Sequence, residues 1–432
     1  MNAHAAPEVA DFNPAGADLW WLQLLFLAGA VFVVSAGYGS LLPLLPTWLV
    51  QQIPGTTPAE VARHVGFLSG AYTAGVLVGA PVWGVISDRI GRPRILIVGL
   101  IGYVSSLLLL LIPSMNNLGA IYALRTAAGL FVAAVVPVVP ALVAAHTPAA
   151  RRARRFAWLG AASLLGFLSG PGWNAVANAI AVWLSDGAAM AILSTRIVIM
   201  LDAFFAAMMM LGLALTLPPK MQRSTLATDA LAEHGRAGLF GLWALSIVMN
   251  FVLSGFELGI VVQGSQHTNA TTQEIALMFA ECALVMLAVN AVLFFTAILD
   301  KVAPRLVILG GSLLGIFGLA LLSMHQFKDW LYVGISLTSA GTGLVLPVIS
   351  FMAAGAARSR LGKTMGWLAA AASLGQTLGS ATGGWLFGSV AQLGFGWLAL
   401  PLAVMLILLL FRPGWWATPA TSPEALLSPL PS

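Results

Sequence analysis

Residues 84–94 read GVISDRIGRPR. Charged residues make up only 8% of this 432-residue chain, yet Asp88, Arg89, Arg92 and Arg94 fall within seven positions here. Long apolar runs flank the cluster on both sides. With 59% hydrophobic residues and a mean hydropathy of +0.93, the chain departs from the composition of a soluble domain, in which roughly a quarter of the residues are charged. A charge cluster between two such runs reads as a short connector between membrane spans.

About 20 apolar residues cross a ~30 Å hydrocarbon core as a helix. Twelve segments meet that need: 20–50, 63–87, 94–113, 118–145, 156–181, 195–217, 238–263, 275–299, 305–324, 330–356, 364–388 and 392–412. β-Barrel strands would be alternating segments of ~10 residues, which these are not. The expected fold is an all-α polytopic membrane protein of twelve transmembrane helices embedded in a lipid bilayer. Residues 1–19 read as an N-terminal arm without the basic stretch of a cleavable signal, and residues 413–432 as a Pro/Ser-rich, disordered tail. The one cysteine, Cys282, permits no internal disulfide. The six histidines lack ligand spacing, so no metal site is expected.

The basic residues sort by loop. Sixteen of the twenty lie on one set of alternate connectors, beginning with Arg89, Arg92 and Arg94 and continuing with Arg151, Arg152, Arg154 and Arg155. Arg63, Arg196 and Lys328 occupy the other set, and Arg125 alone lies inside a span. Short cytoplasmic loops retain Lys and Arg, so both termini are expected in the cytoplasm of a cell whose inner membrane holds the protein. This asymmetry accounts for the pI of 9.7 without a nucleic-acid partner.

The chain also repeats itself. Asp88 and Arg89 match Asp300 and Lys301 at an offset of 212, Gly166 matches Gly375 at 209, Pro137 matches Pro347 at 210, and Trp158 matches Trp367 at 209. A nearly constant offset implies two pseudo-symmetric six-helix halves, 20–217 and 238–412, joined by a polar cytoplasmic linker at 218–237. Halves packed face to face enclose a central cavity, where such transporters hold substrate.

On these residues the chain resembles the major facilitator superfamily. GVISDRIGRPR is similar to the signature between helices 2 and 3, G-x-x-x-D-[RK]-x-G-R-[RK], through Gly84, Asp88, Arg89, Gly91 and Arg92, with Pro93 departing at the last basic position. LRTAAGLFVAA, around Arg125 and Gly129, resembles the helix 4 motif with its intramembrane arginine. GFLSGPG resembles the helix 5 signature of drug:proton antiporters, G-x-x-x-G-P-x-x-G-G, through Gly166, Gly170 and Pro171, with Gly172 beside them and Asn174 and Ala175 in place of its last glycines. The kin most resembled are tetracycline-type exporters. The resemblance implies that Asp88 meets the start of helix 11 near Lys363 or Thr364, latching the halves while the cavity faces outward. Asp300 and Lys301 would repeat that latch, the helix 5 bend would limit proton leakage, and the unit would work as a monomer.

Ionisable residues inside spans are functional candidates, because a charge at the bilayer centre costs roughly 2.5–3.5 kcal/mol by insertion scales. There are four: Arg125, Asp202, Glu257 and Glu281. Glu257 or Glu281 is the expected proton carrier, gated by Arg125; a static Arg125–Asp202 ion pair is the alternative. Span 1 has no acid, where many proton-coupled exporters place one. Tyr38, Tyr72, Asn174, Asn178, Asn250 and Gln376 are expected to line the substrate cavity. The expected function is proton-coupled efflux of a small lipophilic or amphipathic compound, driven by the proton gradient with no cofactor. An uptake symporter for a small nutrient, organic acid or siderophore-like solute shares most of these features. An enzyme is not expected, because no Ser/His/Asp cluster, metal set or phosphate-binding loop appears.

Overall fold

A computed structural model describes residues 19–112, 117–147, 149–184, 189–218, 236–266, 270–296, 302–324, 328–356 and 361–411. Asp300, Lys301, the side chain of Asp88, residues 1–18, most of the linker (219–235) and the tail from 412 lie outside the described residues.

Fourteen α-helices are described: α1 (Trp21–Leu41), α2 (Leu45–Gln52), α3 (Pro58–Ile90), α4 (Arg92–Leu109), α5 (Leu118–Val132), α6 (Val138–Ala145), α7 (Ala149–Leu184), α8 (Ala189–Thr216), α9 (Arg236–Gln266), α10 (Thr272–Phe295), α11 (Pro304–Met324), α12 (Lys328–Ala356), α13 (Leu361–Val390) and α14 (Leu393–Phe411). They make twelve crossings, because two spans are each built from two helices. A 3₁₀ turn at Leu42–Leu44, carrying Pro43, joins α1 to α2. Turn residues 133–137, ending in Pro137, join α5 to α6. Proline lacks the N–H that continues a helical ladder, and both breaks carry one, whereas α3, α7, α12 and α14 run on through Pro81, Pro171, Pro347 and Pro401.

Nine described helices are long and apolar enough to cross a membrane by length and composition. α7 and α13 are not among them, although they are 36 and 30 residues long. Glycine, serine, asparagine and glutamine dilute their apolar content, and they occupy equivalent places in the two halves.

The halves repeat one packing scheme. In the first, α1 packs on α7 and α8, α3 on α5, α4 on α5 and α8, and α7 on α8. In the second, α9 packs on α13 and α14, α10 on α12, α11 on α12 and α14, and α13 on α14. The matched glycines explain part of it. Gly166 of α7 lies against the Phe32 carbonyl of α1, and Gly375 of α13 lies against the Ile247 carbonyl of α9; neither position has room for a Cβ. Caps repeat too. Thr57 and Glu60 form a capping box at the start of α3, and Thr271 and Glu274 form the same box at the start of α10.

Contact between the halves runs along α3–α13 and α7–α10. It is tight at the end of the bundle opposite the arginine-rich connectors. There Gly66 meets Gly384 with no room for a side chain, and Gln266 Nε2 donates to the Pro58 carbonyl at 2.6 Å. At the arginine-rich end no such close approach is made by the glycines of α3 and α13. Pro81, Val82 and Val85 of α3 are exposed, and neither Gly84 nor Gly366 has an atom within reach of an added Cβ.

Candidate functional site

Of the chain's five tyrosines, Tyr72 stands directly against Arg125, Tyr38 stacks beyond Tyr72, and Tyr103 binds the neighbouring Asp202. Arg125 lies on the buried face of α5, in line with Ile121, Ala128, Gly129 and Val132, and is only 3% exposed. One turn along, Gly129 lies against the Tyr72 carbonyl, so α5 and α3 touch backbone to backbone. That approach brings the Tyr72 ring under the guanidinium, whose carbon sits 4.9 Å from the ring centroid. A desolvated cation–π contact of this kind contributes about 2 kcal/mol. Arg125 Nε and Nη2 have no hydrogen-bond partner among the described residues.

From Tyr72 the aromatic contact continues to Tyr38 on α1, with centroids 5.7 Å apart, then to Phe167 on α7 at 6.1 Å and to Phe279 on α10 at 5.7 Å. Tyr38 Oη donates to Glu257 Oε2 at 3.2 Å. Glu257 is 8% exposed and belongs to α9, so this bond crosses from one half to the other. Arg125 and Glu257 are thus linked through two phenol rings rather than in direct contact.

Asp202, on α8, is fully buried and accepts from Tyr103 Oη of α4 at 2.5 Å. It is seated on Gly37 of α1, where a Cβ would overlap both its Oδ2 and the Tyr103 hydroxyl. Its Oδ1 has no hydrogen-bond partner among the described residues. The sequence reading had Arg125 as the alternative partner of Asp202; the hydrogen bond goes instead to Tyr103, a residue that reading did not single out. Its signal was rarity: a tyrosine inside a span, in a chain with 21 phenylalanines and 5 tyrosines, must satisfy its hydroxyl somewhere.

Glu281 stands apart from this group. It faces α12, where Ser336 Oγ donates to its Oε1 at 2.5 Å. Four of the proposed cavity residues bond within their own half. Asn174 Nδ2 donates to the Ser40 carbonyl at 3.2 Å, and Asn178 Oδ1 accepts from Ser194 at 2.5 Å. Asn250 Oδ1 accepts from Gln376 Nε2 at 3.2 Å, one turn before Ser254 meets Ser380 at 2.5 Å. The helix 5 glycines are packing surfaces: Gly166 lies against Phe32 and Gly170 against Gly39 and Ser40, whereas Gly172 faces open space. α7 runs unbroken through Pro171.

In the connector GVISDRIGRPR, Gly91 ends α3 at φ 106°, a left-handed conformation that glycine adopts freely. Arg89 is exposed, and Arg92 Nη1 donates to the Ala141 carbonyl of α6 at 3.1 Å, within the same half.

Comparison with known proteins adds the identity of the fold. Residues 27–302 match the family model of the Major Facilitator Superfamily. The chain is 25% identical over 390 residues to the class D tetracycline resistance protein of Salmonella ordonez, covering 88% of this chain and 94% of that one. It is 24% identical over 373 residues to multidrug resistance protein 2 of Bacillus subtilis, covering 84% and 88%. Its match to the class B tetracycline resistance protein of Escherichia coli is 36% identical over 137 residues, 32% of this chain and a third (33%) of that one. Among solved structures, a D-xylose–proton symporter superposes with a TM-score of 0.71 at 18% identity, covering 93% and 98% of the two chains. The human organic anion transporter MFSD10 superposes at 0.70 and 18%, covering 90% and 99%. The chain belongs to the Major Facilitator Superfamily and is a multi-pass membrane transporter of small molecules.

Proposed function

We propose that the protein exports a small lipophilic or amphipathic compound, such as a drug or secreted metabolite, in exchange for protons, by alternating access between its two halves. The single observation that carries this reading is the Tyr38–Glu257 bond, which ties a buried carboxylate of one half to the Tyr72–Arg125 stack of the other. A proton arriving on Glu257 removes the negative charge to which Tyr38 donates, so protonation and the relative position of the halves are linked. Substrate and proton compete for the same arrangement. The named activities of the tetracycline and multidrug resistance relatives point to the same class of cargo.

In this reading the arginine-rich end is cytoplasmic, as are both termini, and the open space at Gly84 and Gly366 marks the inward-facing state. The connector cluster Gly84, Asp88, Arg89, Gly91 and Arg92, with Asp300 and Lys301 as its counterpart, engages the facing half only when the cavity turns outward; the open space at Gly84 fits a disengaged latch. The unit works as a monomer in the inner membrane and needs no cofactor. One proton moving down the potential supplies about 2.3 kcal/mol per 100 mV, and about 1.4 kcal/mol is already a tenfold gradient of a neutral solute.

The test uses inside-out vesicles acidified within and loaded with a pH-sensitive dye. Lipophilic drugs and amphipathic metabolites are added in turn, and proton release is followed. Release in wild type that is lost in Glu257→Gln supports antiport. If no compound collapses the gradient, while cells accumulate a nutrient in a protein-dependent manner, the transporter is an uptake symporter instead.

A further inference from the structure

LGFLSG at 165–170 and LGQTLG at 374–379 are the same stretch of the two halves, set 209 positions apart. Their helices match on both sides. Trp158, Leu165 and Val176 of α7 are exposed, as are Trp367, Leu374 and Trp385 of α13, each 209 positions from its counterpart. At about 100° per residue these form one stripe along each helix, the side that a membrane helix turns to lipid. On the packed side, Gly166 and Gly170 of α7 lie against the backbone of α1, and Gly375 and Gly379 of α13 lie against the backbone of α9. With both sides fixed, residues 167 and 376 hold equivalent positions midway along α7 and α13. Each lies about 200° round the helix from its lipid stripe.

The two occupants differ. Phe167 is half-buried; its ring stacks on Tyr38 at 6.1 Å and meets Phe279 of α10, across the seam between the halves, at 5.7 Å. Gln376 is also half-buried, and its Nε2 donates to Asn250 Oδ1 at 3.2 Å. Beside it the Thr377 carbonyl lies against Gly70 of α3, again across the seam. Both residues point away from lipid, so what is exposed of them opens on the space between the halves. The bond to Asn250 takes one of the two N–H groups of Gln376. A ring in one half therefore stands where an amide stands in the other, at the depth where two-half transporters hold their substrates.

We propose that Phe167 and Gln376 are the specificity-determining pair of the transporter. They orient a cargo that carries a flat aromatic ring at one end, laid against Phe167 and Tyr38, and a neutral carboxamide or carbonyl group at the other, met by the second N–H and the carbonyl of Gln376. This cargo class rests on the export reading for the place of the site between the halves, and adds the chemistry the site selects. Like residues at the two positions would accept a cargo in either sense. A ring and an amide accept it in one.

The experiment uses the full chain in detergent and two probes, anthracene-9-carboxamide and anthracene-9-carbonitrile, which share the ring and differ in the amide. Binding is followed by the anisotropy of anthracene fluorescence. Wild type is expected to prefer the carboxamide about tenfold, the worth of its hydrogen bonds. In Gln376→Leu that preference is expected to vanish while the nitrile binds as before. In Phe167→Leu both probes are expected to weaken about fivefold or more with the preference kept, as for the loss of an aromatic pair. Phe167→Tyr, which keeps the ring, is expected to bind both as wild type does. A misfolded variant loses both probes alike, so it does not imitate the selective loss at Gln376, and recovery in Phe167→Tyr separates a ring contact from packing. A wild type that binds neither probe, a Gln376→Leu variant that weakens both alike, or a Phe167→Leu variant that weakens neither overturns the proposal. Binding in detergent needs no gradient. If anthracene-9-carboxamide drives no proton release in the inside-out vesicles described above while this pattern of binding holds, the antiport reading fails and the roles of Phe167 and Gln376 stand.

Discussion

The hydroxyl of Tyr38 donates to Glu257 across the boundary between the two halves, at 3.2 Å. Tyr38 belongs to α1 and Glu257 to α9, so the bond joins the first crossing of one half to the first crossing of the other. The Tyr72 ring on one side of Tyr38 leads to Arg125, and the Phe167 ring on the other leads to Phe279 of α10. A change in the charge of Glu257 is therefore felt at a contact that both halves share.

Tyr38→Phe keeps the ring stack and removes the bond. A hydrogen bond to a charged group contributes about 1.5–3 kcal/mol, so the closed arrangement at the Gly66–Gly384 end is expected to lose roughly tenfold or more in population. Distance measurements between spin labels on the two halves at that end check this; an unchanged distribution counts against the bond as a tie.

Glu257→Gln and Glu281→Gln are expected to differ. With proton and substrate competing, wild-type substrate affinity rises as pH rises. That dependence is expected to vanish in Glu257→Gln and to persist in Glu281→Gln, because Glu281 bonds to Ser336 and lies outside the Tyr38–Tyr72–Arg125 stack. Substrate titrations in detergent between pH 5.5 and 8.5 (about three units, enough to sweep a perturbed carboxylate) separate the two.

Gly37→Ala and Gly84→Ala form a contrasting pair. A methyl at position 37 meets Asp202 Oδ2 and the Tyr103 hydroxyl, and overpacking of this kind costs about 1–3 kcal/mol. The melting temperature in detergent is expected to fall. A methyl at position 84 meets nothing within 4 Å, so stability is expected to hold while transport falls, because the space is filled only when the latch engages. Undiminished transport by Gly84→Ala argues against the latch.

Gly66→Val places a side chain where only the Gly384 backbone fits. The expected outcome is a shift toward the outward-open state rather than unfolding, since the clash is relieved by parting the halves. Greater accessibility of a cysteine introduced at Phe279 to an impermeant thiol reagent reports that shift.

Twelve crossings, their basic end and the internal repeat were legible in the sequence because each is imposed locally. The bilayer fixes how many apolar residues a span needs, the loop residues themselves mark the basic end, and the repeat needs only a constant offset. The capping boxes Thr57–Glu60 and Thr271–Glu274 are equally local, whereas proline alone does not mark a break: the chain turns at Pro43 and Pro137 but runs on as helix through Pro171 and Pro347. The partners of the intramembrane charges were not legible in this way. That Asp202 bonds Tyr103, that Glu257 rather than Glu281 reaches the Arg125 stack, and that Asn174 and Asn178 form their side-chain hydrogen bonds within the first half all depend on how helices distant in sequence are rotated against one another. That rotation is decided by backbone-to-backbone contacts such as Gly129 on Tyr72 and Gly37 under Asp202, which exist only once the bundle has packed.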